Sequence, residues 1–245
     1  TPARKTQHRK SHGSYRTDAG RVREGWVVKM MPIEVAGESL LLHPEKAVYW
    51  PRESTLFVAD IHFGKVAAFR AAGLPLPPGS TSAALDRLDR AVADAAAQRI
   101  VFLGDFLHSR DARAAQTFAR FAKWRESHAA MDITLIRGNH DAKAGDPPFD
   151  WHVTCVDEGE MLGPFCLAHH PAPDPRGYVL AGHVHPAIRL QGPANDALRL
   201  PCFWFGESVA VLPAFGEFTG TYTVQPKSGD RVFVVADGRM VEIRA

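Results

Sequence analysis

"TSAALDRLDRAVADAAAQRIVFLGD", residues 81–105, decides the fold. Its apolar positions recur at helical spacing, and Thr81 or Ser82 can cap the start, so the spacing predicts a helix over 81–98. "RIVFLGD" then reads as a buried strand that ends on Asp105. A helix feeding a buried strand is the building unit of a layered α/β protein. Downstream the unit repeats: "AAQTFARFAKWRES" (114–127) is a second amphipathic helix, and "DITLIRG" (132–138) a second strand. Upstream lie short strand-like runs at 39–43, 47–50 and 55–60. Beyond residue 150 the pattern changes. "HVTCV", "FCLAHH", "YVLAGH", "AIRL", "LRLPCFWF", "SVAVLPAF", "VFVVAD" and "MVEIR" are strand-like and punctuated by Gly and Pro. Two packed sheets flanked by helices follow. The stretch after Lys65, with three prolines, reads as a loop beside "ADIHFG".

The rest of the composition narrows the function. The chain has 245 residues, 45% apolar and 23% charged, ordinary for a soluble globular protein. No apolar run approaches the roughly 20 residues that span a bilayer. Cys155, Cys166 and Cys202 are odd in number and widely spaced. That argues against a disulfide framework and for reduced thiols in the cytoplasm. The net charge of +2 is uneven, because residues 1–30 carry eight Lys and Arg against two Asp and Glu. Residues 1–30 are therefore expected to be a basic, disordered extension, and 31–245 a single domain. Such an extension can attract nucleic acid in a salt-sensitive way. The remainder is mildly acidic and shows no extended basic groove.

Polar clusters follow the apolar strands. Asp60 and His62 follow "LFVA"; Asp105 follows "IVFLG", with His108 three residues on. Asn139, His140 and Asp141 follow "TLIRG"; His169 and His170 follow "FCLA"; His183 and His185 follow "YVLAG". Taken singly each is weak: "GNHD" also reads as a turn, with Gly138 allowing positive φ. Together they place five sets of donors at strand ends, where α/β folds keep their ligand crevice. Imidazole nitrogen and carboxylate oxygen without thiolate suit first-row divalent ions. Seven donors suit two ions that share a carboxylate. Such a pair clamps phosphate oxygens and lowers the pKa of a shared water.

These motifs, D-x-H, GD, GNH, a later His and GHxH, resemble those of calcineurin-like metallophosphoesterases over roughly residues 55–190. The resemblance implies a four-layer α/β/β/α sandwich and a dimetal centre, most often with Mn²⁺, or with Fe or Zn. It assigns Asp60, His62, Asp105 and His185 to one metal. Asp105, Asn139, His169 and His183 go to the other, with Asp105 bridging. It makes His140 the group that protonates the leaving oxygen. Asp141 is expected to orient His140 or to anchor the turn. "ADIHFGKVAAFRAAGLPLPPG", "LGDFLHSR", "GHVHPAIRL", "LPCFW" and "LPAFGEFTG" are similar to the ligase-associated DNA-damage-response metallophosphoesterases, the PdeM family. That narrower resemblance implies a DNA phosphodiesterase or endonuclease working beside an ATP-dependent DNA ligase and a helicase.

Neighbouring strand residues face opposite ways, so only one of His169 and His170 is expected at the metal, and the family pattern favours His169. His170 then lines the pocket or bonds locally. His108 is expected to support Asp105, and Arg110 and Lys65 to contact phosphate or to lie as solvated surface charges. The five aromatics of "PCFWFG" and "PAFGEFTG" are expected in the core, with base stacking as the alternative. The same centre also serves cyclic-nucleotide phosphodiesterases, nucleotide pyrophosphatases and phosphoprotein phosphatases, and a non-catalytic recruiting module is a third class.

Overall fold

The computed structural model describes residues 29–74, 80–109, 115–191 and 197–244. Residues 1–28, the three prolines after Lys65, and Arg110 lie outside the described residues. Seven strands form the first sheet, in chain order: β1 (Met31–Val35), β2 (Glu38–His43), β3 (Ala47–Trp50), β4 (Thr55–Val58), β5 (Arg99–Leu103), β6 (Asp132–Ile136) and β7 (Val153–Val156). β1 to β4 pair antiparallel; β4 to β7 pair parallel. The helices are α1 (Lys65–Ala71), α2 (Ser80–Ala95), α3 (Ala115–Ser127) and the single turn α4 (Asp141–Ala144).

The second sheet has nine strands: β8 (Glu160–Leu162), β9 (Phe165–Leu167), β10 (Tyr178–Ala181), β11 (Pro186–Gln191), β12 (Ala197–Phe205), β13 (Val209–Val211), β14 (Tyr222–Thr223), β15 (Arg231–Ala236) and β16 (Arg239–Arg244). β10 lies parallel between β9 and β13.

Alternation along the strands explains the layers. Phe57, Val101, Leu103 and Ile136 of the first sheet meet Phe165, Leu180, Phe203, Phe205 and Phe233 of the second in one buried core. The residues between them, Leu56, Val58, Ile100, Phe102 and Leu135, turn the other way. There they pack against Leu85, Leu88 and Val92 of α2 and Phe121 and Trp124 of α3. Each of these large side chains contributes roughly 1.5–3 kcal/mol by leaving water. This is the expected α/β sandwich. Its outermost cover differs: among the described residues no helix lies on the outer face of the second sheet. The segment around Arg176 covers Cys166, with Nη2 3.9 Å from Sγ. Val224 closes over Cys202, Val232 and Val234.

Local rules explain the other departures. Residues 65–71 form a helix where a loop was expected, since "KVAAFRA" is alanine-rich and follows Gly64 at φ 79. α2 begins at Ser80, before either expected cap, and ends at Ala95 rather than 98. Ala96 adopts φ 49. Its N–H bonds to Ala93 O and that of Ala97 to Val92 O, a helix-stopping motif normally closed by Gly.

Candidate metal centre

The parallel strands β4, β5 and β6 end side by side, so the loops after them meet. Their backbones are tied together: His62 N–H donates to Asp105 O at 2.9 Å and Phe63 N–H to Phe106 O at 2.8 Å. The loops after β9 and β10 arrive from the second sheet. Gly182 N–H donates to His169 O, and His183 N–H to Asp60 Oδ2 at 2.9 Å. All seven expected ligands therefore converge.

Two groupings are visible. His62 Nε2 lies 3.4 Å from His185 Nε2 and 3.8 Å from Asp105 Oδ2, while His185 Nε2 lies 3.6 Å from Asp60 Oδ1. His169 Nε2 lies 3.0 Å from Asn139 Oδ1, 3.0 Å from His183 Nδ1 and 3.5 Å from Asp105 Oδ1. Asp105 stands between the two with one oxygen toward each. His169 is buried and reaches this centre. His170 is exposed, and its Nδ1 pairs with Glu158 Oε1 at 2.5 Å.

The residues fit divalent ions on three counts. Asp60 and Asp105 are buried at 0% and 2% exposure, and among the described residues neither forms an ion pair with a Lys or Arg; Lys65 acts on both from a longer range. Asp60 Oδ1 and His62 Nδ1 are buried without a hydrogen-bond partner, which a folded interior rarely tolerates. Imidazole nitrogens face one another within hydrogen-bonding distance, and burial followed by the charge of Lys65 pushes His62 far below its usual range. It is thus held neutral, the ligating form. None of the three cysteines joins a metal-competent group among the described residues.

The backbone is strained here. Twelve described non-glycine residues have positive φ, and five are expected ligands: Asp60, His62, Asp105, His183 and His185. Such geometry costs on the order of 1–3 kcal/mol per residue and collects at functional sites. The motif glycines have a packing reason. A Cβ on Gly104 would fall 2.0 Å from His169 Nδ1, and one on Gly182 would fall 2.6 Å from Asp60 Oδ2. Gly138 does not use positive φ, against expectation. A Cβ there would lie 2.4 Å from Asp105 Oδ1.

His140 sits at the rim. Its N–H donates to Asp105 Oδ1 at 2.9 Å, and its Nδ1 meets the His108 carbonyl oxygen. Asp141 does not orient that ring. Its carboxylate accepts N–H bonds from Phe106, Leu107 and Gly138, at 2.9–3.1 Å, so it anchors the turn. Burial raises its pKa to about 6. His108 does not hydrogen-bond Asp105 as expected. Its ring stacks on His140 at 5.0 Å, and burial, then Lys65, lowers its pKa to about 4. Lys65 opens α1 close enough to act on His62 and His108, and its Nζ lies 5.8 Å from the Phe69 ring.

Sequence reasoning missed the segment 215–222. Phe215 N–H donates to Ala59 O, Gly216 N–H to Asp60 O, and Tyr222 N–H to His185 O. The Gly220 carbonyl accepts from His185 Nδ1 at 2.8 Å. That bond fixes which nitrogen of His185 faces Asp60. "PAFGEFTG" carries the only signal, its aromatics being expected in the core or stacked on bases, neither of which points to these backbone bonds. Phe203, Phe205 and Phe215 are buried and Trp204 half-buried. Phe218 is 46% exposed.

The calcineurin-like phosphoesterase family matches residues 54–183, which contain every expected ligand up to His183. Among solved structures, the Pseudomonas putida nuclease MPE is 45% identical, with a TM-score of 0.79 over 88% of this chain and 100% of that one. Yfce, a phosphoesterase from E. coli, aligns at 17% identity and TM-score 0.36 over 75% of this chain and 88% of its own, too distant to carry an argument. No curated protein sequence matches the chain.

Proposed function

Because this chain belongs to the calcineurin-like phosphoesterases and is a metal-dependent phosphoester hydrolase, we propose that it cleaves phosphodiester bonds of nucleic acid, with DNA as substrate. The observation that carries the reading is the closed set of nitrogen and oxygen donors around Asp105, in a chain 45% identical over most of its length to a nuclease. Asp60, His62, Asp105 and His185 would hold one divalent ion; Asp105, Asn139, His169 and His183 would hold the other. When bound, the ions activate water and neutralise charge on the phosphoryl oxygens. Mn²⁺ is the proposed resident, with Fe or Zn as substitutes, since the donors include no thiolate.

His140 is the proposed general acid. With Nδ1 engaged by the His108 carbonyl, Nε2 is the atom left to protonate the leaving oxygen. His108 holds that ring by stacking, and Asp141 holds the loop that carries it. Lys65 adds positive charge beside the reacting phosphate. The resemblance of "LGDFLHSR", "GHVHPAIRL" and "LPAFGEFTG" to the ligase-associated family supports a role in DNA repair beside a ligase and a helicase. Three free cysteines support a cytoplasmic setting; no helix of the described residues is long and apolar enough to cross a membrane.

The test is to strip metal and assay bis-p-nitrophenyl phosphate, single- and double-stranded DNA, 2′,3′-cyclic AMP and a phosphopeptide, with and without Mn²⁺. The reading expects Mn²⁺-dependent turnover of the diester and of DNA. Metal-independent turnover, or turnover of the phosphopeptide alone, contradicts it.

A further inference from the structure

β11 and β12 form an antiparallel ribbon that begins one residue after His185. In its register Arg189 stands directly opposite Arg199. Side chains so placed lie about 4.5–5.5 Å apart at Cβ, and like charges there are destabilising. Both arginines are exposed. Among the described residues neither guanidinium meets a carboxylate. Arg199 touches Thr221, through Nη1 at 3.5 Å from both O and Oγ1. Nothing in the fold requires two unneutralised cations at this register.

Their direction follows from alternation. Phe203 and Phe205 turn into the core between the sheets. Arg199 shares their face of β12, beyond the point where the first sheet stops covering it. Ala187, buried, shares the face of Arg189 on β11. The contact from Arg199 to Thr221 locates the pair, because Gly220, the preceding residue, holds His185 by its carbonyl. The arginines therefore flank the metal centre on its His185 side.

Phe218 belongs to the same rim. The segment around it is pinned to Asp60 at Gly216 and to His185 at Gly220. Two residues of chain on either side keep it within about 7 Å of both glycines at Cα. It has φ 57 and is half exposed. A bulky side chain in left-handed backbone is an outlier, and here it keeps an aromatic ring at the surface beside the site.

We infer that Arg189 and Arg199 form a phosphate clamp for a nucleic-acid strand leaving the metal centre, and that Phe218 is the platform on which an adjoining base stacks. Paired guanidinium forks match phosphate oxygens, and aromatic platforms bind single strands without regard to sequence. This rests on the nucleic-acid reading above. It adds the binding residues that distinguish a polynucleotide from a small diester.

The experiment uses the full chain with two probes. One is bis-p-nitrophenyl phosphate, which reports the metal centre alone; the other is a fluorescein-labelled single-stranded DNA oligonucleotide. In the Arg189→Ala/Arg199→Ala double variant, kcat/KM on the oligonucleotide should fall at least 10-fold, with the small diester changed less than twofold. Binding followed by anisotropy in EDTA should lose about 1.4 from the slope of log K against log salt, at about 0.7 per lost phosphate contact. Phe218→Asn, whose residue tolerates the left-handed backbone, should weaken the oligonucleotide alone and leave Tm unlowered. Unchanged oligonucleotide cleavage and binding in these variants, or an equal loss on both probes, would overturn the inference. Failure of the wild type on bis-p-nitrophenyl phosphate with Mn²⁺ would instead overturn the hydrolase centre, and the anisotropy would still decide the clamp.

Discussion

The two sheets bring the proposed ligands to one point by different means. The rim of the first sheet is bonded to itself. His62 and Phe63 donate to the Asp105–Phe106 backbone, His140 donates to Asp105, and the buried carboxylate of Asp141 gathers three backbone N–H groups. The rim of the second sheet has a bond of its own, Gly182 N–H to His169 O, but its metal-facing histidines hang on their neighbours. His183 rests on the Asp60 carboxylate, and His185 on the Gly220 carbonyl of the 215–222 segment. The carboxylates thus belong to the self-braced side and also position the histidines of the other. The first rim is built as a frame, and the second is registered against it.

Breaking the frame at its shared carboxylate should have the largest effect. Asp105→Ala should lower turnover of bis-p-nitrophenyl phosphate by at least about 10³-fold, since both ion sites and the His140 backbone lose a partner. Steady-state kinetics with saturating Mn²⁺ checks this. His140→Ala should lower kcat by about 10²–10³-fold while metal analysis finds the ion content unchanged, because its Nε2, 3.9 Å from Asp105 Oδ2, is proposed as the proton donor and as a ligand of neither ion. Asp141→Ala should leave three buried N–H groups unpartnered and cost about 3 kcal/mol of stability, read by urea denaturation. A smaller loss would mean that the frame is held by the ligands rather than by its own bonds.

The smallest effect tests how the second rim rests on the first sheet. Arg87 donates to Phe215 O at 3.0 Å and stacks on the Phe215 ring. Burial, then Arg87, lowers the Lys46 pKa from 10.5 to about 7. A lysine with a depressed folded pKa favours the fold most when neutral. Its contribution is present above its unfolded pKa and is lost as pH falls toward 7. Lys46→Met should therefore stabilise the protein by on the order of 1–2 kcal/mol near pH 7. The advantage should shrink as pH rises toward 10, and thermal melts across that range decide it.

Much of this was legible in the sequence because the signals were local. The helix–strand unit at 81–105 carried its own periodicity, and the ligand-bearing residues followed apolar strands one after another. Strand parity admits only one of His169 and His170 to the centre, and the family pattern names His169. What stayed hidden depends on tertiary contact. Asp141 looked like a partner for its neighbour His140, but its oxygens are taken by backbone of the loop after β5 and of its own turn. Gly138 looked like a turn glycine, whereas the carboxylate of Asp105 occupies the space of its Cβ. Phe218 looked like its core-filling neighbours, since exposure in a pinned loop leaves no periodic trace.

The central claim is a binuclear centre divided between the two rims, with Asp105 common to both. Metal titration of stripped wild type, His183→Ala and His185→Ala tests it most directly. The account predicts two ions per wild-type chain and one in each variant, with the site lost in His183→Ala being the one kept in His185→Ala. A single ion in the wild type, or the same site emptied by both substitutions, would contradict it.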